Sequence, residues 1–345
     1  MLATASRAGG GCVAHDDRFW PSGCSTRSVT TNAIISRADG SDEKVELRAG
    51  LAKKLSAETL LWIDLAGPTE EEIGAVREAL SADEGLASLL TRELGLPTAA
   101  VHDHGLEVVV AGLDPHAIEP RVVQILAGEG WVITRHDVET EFLDEHRRNI
   151  LDARELGRLA PVEFLASILG WQLDTYFATA AALEREIDDL DDAALRGEGE
   201  LLERLVHLRG RIARARRILN PHRDVYAELA RPDFLAERFA DGSEELNDLL
   251  SRLQRAADAI GNAREMLIGS FDIHMSHLAQ RTNDVMRVLT LASVVLLPSV
   301  VIAGVMGMNF RVDIFDQPVL FWVVIGIMVT LAAITLVFAR RKGWL

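Results

Sequence analysis

Apolar positions fall into three regimes along this chain. Over residues 29–157, short β-rich runs alternate with helical patterns. NAIISRA, TLLWIDL, LEVVVAGL and RVVQILAG followed by GWVITRH read as strands, dense in branched and aromatic side chains. PTEEEIGAVREAL reads as a helix, with Pro68 at its start and Glu70, Glu71 and Glu72 in its first turn, where carboxylates suit the helix dipole. The alternation predicts an α/β domain. From Pro161 the period becomes helical and stays so. PVEFLASILGWQLDTYFATAAALEREIDDLDDAALRG predicts one helix ending in the acidic stretch Glu184 to Asp192. ELLERLVHLRGRIARARRILNPHRDVYAELA predicts the next, basic through Arg209, Arg211, Arg214, Arg216 and Arg217. These two form an antiparallel pair, and a solvated or salt-bridged face is the expected use of the basic run. A third helix begins near Ser243 and meets no proline before Pro298. Carried to Met308 it would be roughly 100 Å long, which suits a stalk and not a compact domain. The pair and the stalk together occupy residues 158–285.

The third regime is free of charge. Val288 to Phe310 and Pro318 to Ala339 contain no Asp, Glu, Lys or Arg. Each run is long enough to cross a hydrocarbon core of about 30 Å. The spans are assigned to residues 286–309 and 318–339, with an external loop at 310–317 and a basic tail at 340–345. Arg340, Arg341 and Lys342 follow the second span, whereas the loop sets Arg311 against Asp313 and Asp316. The positive-inside bias then places the C-terminus in the cytoplasm, and two spans return the N-terminal part to the same side. The expected location is the plasma (inner) membrane.

Composition narrows the function. The 345 residues are 48% hydrophobic and carry a formal net charge of −16. So acidic a balance excludes nucleic acid as a partner. Residues 1–28 lack the apolar core of a signal peptide and read as a disordered tail; Cys12 and Cys24, both within it, read as a reduced pair. No phosphate loop, nucleophile elbow or zinc-protease helix is present, so the sequence predicts no enzyme and no cofactor beyond a transported and regulatory divalent cation, Mg2+.

Two spans cannot enclose a polar route through hydrocarbon, so a pathway needs several copies of the chain, and identical copies close into rings. One stripe of the first span would face the axis. Stepping back from Asn309 at helical spacing gives Gly304, Val300, Leu297, Ser293, Leu289, Met286 and Asn283. That stripe is polar at its ends and mostly apolar between, as suits polar entry sites around a constriction that gates by dewetting. The alternative is that its apolar members face lipid or neighbouring helices. Magnesium parts with its water reluctantly, and an Asn carbonyl can accept hydrogen bonds from the hydrated ion without the tight hold of a carboxylate ring. Gly307 would let the chain turn sharply after the helix, and Met308 would pack.

The tripeptide Gly307-Met308-Asn309 after a proline-containing span, a short loop and a second span ending RRKGWL resembles the CorA family of magnesium transporters. The likeness extends through REMLIGSFDIHMSHLAQRTNDVMRVLT, LRGRIARARRILNPHRDVYAEL and LLWIDLAGPTEEEI, covering nearly everything from about residue 30 onward. The resemblance implies an α+β membrane protein: a cytoplasmic α/β domain, a long stalk helix and two C-terminal transmembrane helices, assembled as a funnel-shaped homopentamer in the lipid bilayer. It also implies that Gly307, Met308 and Asn309 form the selectivity filter, and that Asn283, Met286, Leu289 and Leu297 line the pore, with Met286 and Leu289 at the constriction. Asp272 matches a stalk acid in an inter-subunit divalent site that holds the channel closed; the acid in this chain nearest to its usual partner is Asp103. Arg340, Arg341 and Lys342 match a basic ring at the cytoplasmic mouth. Val300 departs from the family, standing where a hydroxyl residue is common, and the loop lacks the usual Met-Pro-Glu pattern while keeping Asp313 and Asp316.

Three functions compete. The first is passive magnesium import gated by cytoplasmic magnesium. The second is a zinc, cobalt or nickel transporter of the same architecture, as in the ZntB-like branch. The third is a non-conducting membrane-anchored sensor or scaffold. His274 and His277 lie three apart on the stalk, so a transition-metal site with His102 or His104 is conceivable, but two polar residues on an exposed helix face is the expected reading.

Overall fold

The computed structural model describes residues 30–37, 39, 41–52, 59–138, 140–153, 159–196, 201–231, 243–308 and 318–341. The chain divides into two units, Met1–Leu267 and Ile268–Leu345.

The first unit is built on a seven-stranded sheet. Its strands are β1 (Thr30–Arg37), β2 (Asp42–Lys44), β3 (Thr59–Ala66), β4 (Thr98–His102), β5 (Gly105–Leu113), β6 (Pro120–Gly128) and β7 (Trp131–His136). The order is β2-β1-β3-β7-β6-β5-β4, and only β3 and β7 run parallel, with Ile63 opposite Ile133. The run LLWIDL in β3 is continuously buried because the sheet is covered on both faces. Leu60 and Trp62 enter one core cluster, whereas Leu61, Ile63 and Leu65 enter the other. On the latter face lie α1 (Glu70–Leu80) and α2 (Glu84–Thr91), through Ile73, Val76, Leu86 and Leu90. The opposite face carries α3 (Glu141–Ala153), α4 (Pro161–Arg196), α5 (Leu201–Leu219), α6 (His222–Leu229) and the first part of α7 (Ser243–Met306). One further helix, α8 (Pro318–Arg341), ends the described chain.

Two helix boundaries differ from the sequence pattern. Pro68 does not open α1: Thr69 caps it, accepting from the Glu72 N–H while Glu72 accepts from the Thr69 N–H. This reciprocal pair satisfies two orphan donors, so the proline lies just outside the helix. The basic segment expected as one helix is broken at Asn220-Pro221 into α5 and α6, because Pro221 has no N–H to donate and disfavours helical backbone at the residue before it. The acidic end of α4 and the basic α5 do meet: Arg211 pairs with Glu186, and Arg211 also donates to the carbonyl of His116 at 3.0 Å.

Backbone groups left over by the sheet are capped from the helices. At Ala111 of β5, the N–H donates to His222 Nε2 at 2.9 Å, and the carbonyl accepts from Gln172 at 2.6 Å and Tyr176 at 2.7 Å. Tyr226 donates in turn to Gln172 Oε1 at 2.7 Å. These side chains are buried, so each bond removes a cost of roughly 1–3 kcal/mol for an unpaired buried group. Gly105 allows the tightest approach in the sheet. Its φ is +151°, and a Cβ there would stand 2.1 Å from the Ala127 carbonyl oxygen.

Candidate functional site

The long helix α7 carries almost every residue singled out for ion handling. Its first third is part of the first unit's core. Leu246, Leu249, Leu253, Ala256, Ile260, Ala263 and Leu267 are buried at alternating spacings of three and four, one helical face seated on the body. Beyond Leu267 that face carries polar residues: Ser270 is still buried, His274 is half-buried and His277 is exposed. Ile268, Phe271, Met275 and Leu278 repeat the same spacing one position further on, and all four are exposed. One position is about 100° around a helix, so the apolar stripe has moved to a different face. Sequence inspection passed over these residues. Their signal was the three-four spacing itself, which is that of a helix-to-helix seam.

Further along, Asn283, Met286, Leu289, Ser293, Leu297, Val300 and Gly304 are all helical and exposed. The Ser293 hydroxyl donates to the Leu289 carbonyl at 2.9 Å, and Thr290 does the same to Met286 at 2.7 Å. A hydroxyl bonded this way spends its proton inside its own helix and keeps its oxygen lone pairs facing outward. Pro298 lies inside the helix and cannot donate to the Val294 carbonyl. None of the most apolar window of α7 or of α8 is buried by the chain, and both are long and apolar enough to cross a membrane. Phe321 and Trp322 open α8 as an edge-to-face pair with centroids 5.5 Å apart, and Arg340 and Arg341 close it. Aromatic and basic ends of this kind suit the two interfaces of a bilayer.

Gly307 corrects an expectation. Its N–H donates to the Ala303 carbonyl at 2.9 Å, and the Met308 N–H to Val305 at 3.3 Å, so the helix ends by tightening one turn. Gly307 has no left-handed φ, and a Cβ would meet the Ala303 oxygen at 3.4 Å. A sharp turn at glycine therefore does not account for this residue. Met308 is 55% exposed among the described residues, so it is not a core residue of the chain. Asn309, Asp313, Asp316 and Lys342 lie outside the described residues, as do Cys12 and Cys24.

The regulatory candidates fall in separate units. Asp272 is exposed on α7, and Asp103 is exposed in the hairpin turn between β4 and β5. Among the described residues, no group of three or more His, Cys, Asp or Glu is placed to hold a metal ion. His274 is half-buried and His277 exposed on α7. The two histidines of the α/β body have other engagements. His102 Nε2 lies 2.8 Å from Glu107, and His104 Nε2 lies 2.7 Å from Asp83, the cap of α2. Burial resists ionisation of Glu107, yet hydrogen bonds from Gln124, His102 and Arg92 outweigh it and hold the carboxyl below the usual range. His102 is thereby part of a structural ion cluster.

Buried histidines elsewhere in the body titrate abnormally. His146 is fully buried against Trp62, Phe164 and Trp171, with no hydrogen-bond partner for either ring nitrogen, and burial pushes its pKa down to about 4. Burial does the same to His222, also to about 4, against the opposing pull of the Ile218 and Leu219 carbonyls. For His136, burial works against protonation, but the hydrogen bond and charge of Asp64 prevail and raise the pKa.

Comparison with known proteins fits this arrangement. The cobalt/magnesium transport protein CorA of Thermotoga maritima is 27% identical over 67% of this chain and 66% of its own length. The protein of the same description from Methanocaldococcus jannaschii is 25% identical over 83% of this chain and 92% of its own. The complete structure of the CorA magnesium transporter from Methanocaldococcus jannaschii superposes with a TM-score of 0.72 at 22% identity, covering 92% of this chain and 99% of that one, and so shares its fold. The model of the family described as CorA-like Mg2+ transporter protein matches residues 57–341, a span that holds both apolar helices and the Gly307-Met308-Asn309 tripeptide, and the chain belongs to that family.

Proposed function

We propose that this divalent cation transporter is a passive magnesium importer of the plasma (inner) membrane, working as a homopentamer with both termini in the cytoplasm. The observation that carries the reading is the continuous helix α7, which leads from a buried face in the body to an exposed, uncharged stripe ending beside Asn309. In a ring, that stripe faces the axis. Asn283 supplies a polar entry at one end, and Met286, Leu289, Leu297 and Val300 supply the apolar constriction. Ser293 and Gly304 interrupt it, the serine with outward lone pairs. At the other end, Gly307, Met308 and Asn309 form the filter, with the Asn309 carbonyl accepting from the water shell of the ion. Asp313 and Asp316 draw cations toward that mouth, and Arg340, Arg341 and Lys342 surround the other.

The exposed seam of Ile268, Phe271, Met275 and Leu278 supports assembly. Burying such side chains fully stabilises by roughly 1.5–3 kcal/mol each, and another copy of the helix would cover them at regular intervals. Transport needs no ATP, because a potential of 100 mV is worth about 2.3 kcal/mol per charge and twice that for a divalent ion. Asp272, paired with Asp103 of a neighbouring copy, would hold a regulatory magnesium that favours the closed ring by binding it preferentially.

The test is metal uptake by cells lacking their own transporters, with magnesium, zinc, cobalt and nickel offered separately. Magnesium uptake that follows the membrane potential is expected. Zinc uptake without magnesium uptake would replace this reading by the transition-metal one, and no uptake of any metal would leave a sensor or scaffold.

A further inference from the structure

A cationic groove in the first unit has no part in ion conduction. It has a volume of about 370 Å3 and lies between the C-terminal end of α5, the start of α6 and the first third of α7. Arg216, Arg223 and Arg264 line it, with the amides of Asn220 and Asn262. We propose that this groove binds an anion carrying adjacent phosphoryl groups, of the polyphosphate or nucleoside-triphosphate class.

The argument begins with charge. The chain is strongly acidic, at −16, yet α5 carries six arginines against the single acid Glu203. The groove sits where that basic helix ends. Of its three guanidinium groups, Arg223 is engaged, donating to Gln254 at 3.0 Å, and Gln254 donates in turn to Asp258 at 3.1 Å. Among the described residues, the side chains of Arg216 and Arg264 make no ion pair or hydrogen bond. Two forks with five donors each, beside two amides, offer more donors than a single carboxylate can accept from, and suit an anion with several phosphoryl oxygens. Asp258 and Glu265 also line the groove and reduce its charge to a net of +1. They repel any anion, so a ligand binds here only if it gains more from both arginines than it loses to the two carboxylates.

Size and lining define the ligand further. The volume lies in the range of small-molecule sites. No aromatic side chain lines the groove, so a base has nothing to stack on. Recognition is therefore of the phosphoryl chain, and adenine and guanine nucleotides should bind alike. Gly261 forms part of the lining, and nothing stands within 4 Å of where its Cβ would be. A larger residue there fills the groove without clashing with the helix and without altering charge.

The shared chemistry belongs both to soluble polyphosphates and to lipid headgroups with several phosphates, and the experiment separates them. Binding of tripolyphosphate, ATP, GTP and orthophosphate to the full chain in detergent is measured calorimetrically, with divalent cations chelated so that metal sites are silent. Tripolyphosphate, ATP and GTP should bind within a few-fold of each other, and orthophosphate about tenfold or more weakly. Arg216→Gln with Arg264→Gln should weaken tripolyphosphate by about tenfold or more. Gly261→Leu should weaken it comparably by filling the space. Arg209→Gln, on the same helix outside the groove, should change it less than about twofold if binding is not general attraction to a basic surface. Displacement of tripolyphosphate by a short-chain lipid with a phosphorylated inositol headgroup, at lower concentration than ATP, would assign the site to lipid; failure to displace assigns it to soluble polyphosphate. The proposal is overturned by absence of tripolyphosphate binding, by equal weakening in Arg209→Gln, by undiminished binding in Gly261→Leu, or by a strong preference of ATP over tripolyphosphate.

Discussion

The two ends of helix α7 follow opposite rules. Up to Leu267, each apolar residue of its buried face has a partner inside the chain, and the body beneath it caps even the stray backbone groups of Ala111. After Leu267 an apolar three-four spacing continues on a face rotated by about one residue, and among the described residues nothing covers it. A body of the first kind buries its apolar face against itself. A segment of the second kind is finished only by lipid and by other copies of itself. The change of face along one unbroken helix marks where the chain stops being its own partner.

The largest effect should come from breaking the seam while sparing the body. Phe271→Asp with Leu278→Asp places two charges per copy where neighbours would meet, and should dissociate the oligomer in detergent. The melting of the body should stay within about 1 kcal/mol of the parent, since surface changes away from packed features are small. Size measured by light scattering, beside thermal denaturation, checks both halves. An intact oligomer would mean that the seam faces lipid or solvent.

Next in size is a pH effect confined to the body. His146 and His222 have folded pKa values of about 4, below the ordinary imidazole value of 6.5. The unfolded chain therefore takes up protons that the folded one refuses, and stability falls as pH drops from 6.5 toward 4. At pH 5 each histidine should cost roughly 2 kcal/mol relative to pH 7. His136 has a raised pKa, so its contribution is complete below 6.5 and fades only as pH rises; it does not oppose the acid trend. Denaturation of the full chain at pH 7 and pH 5 should show the loss. His146→Gln should remove about half of it, and an unchanged pH slope would show that the ring finds a partner for its proton.

Smaller changes are expected in the regulatory segment. Asp272→Ala should raise the magnesium concentration that halves uptake from the cytoplasmic side by a few-fold, without altering the maximal rate. Equal inhibition in variant and parent would leave Asp272 a surface acid. The smallest effect should be that of His274→Ala with His277→Ala, which should leave magnesium uptake and its inhibition unchanged. Loss of a micromolar zinc response in that double variant would favour the transition-metal reading.

Legibility in the sequence followed the same division. The five quoted β-rich runs lie on β1, β3, β5, β6 and β7, because continuous apolar runs bounded by turn residues carry their own signal. Helix α4 was equally plain from its period, and Arg211 with Glu186 joined the helix pair as opposite charges should. The short β2, β4, α2 and α3 were not read, since three to thirteen residues give little periodicity and their place is decided by tertiary packing. The break at Pro221 was available in the sequence and was outweighed there by the arginine-rich helical pattern. The candidate site was legible as a stripe on one helix, because a long exposed helix needs no tertiary information to be drawn. What joins Asp272 to an acid cannot be read from one chain, because their meeting depends on a neighbour. His102 and His104, conceivable extra ligands from sequence, stand beside Glu107 and Asp83, and those pairings depend on tertiary packing.

The most direct test of the account concerns Asn309. Purified protein is reconstituted into liposomes, a potassium diffusion potential is imposed, and magnesium entry is followed with an internal dye, for the parent and for Asn309→Ala. The account predicts potential-driven magnesium entry in the parent without ATP, and none above background in Asn309→Ala, whose oligomer should be intact. Magnesium entry in Asn309→Ala equal to that of the parent would contradict it.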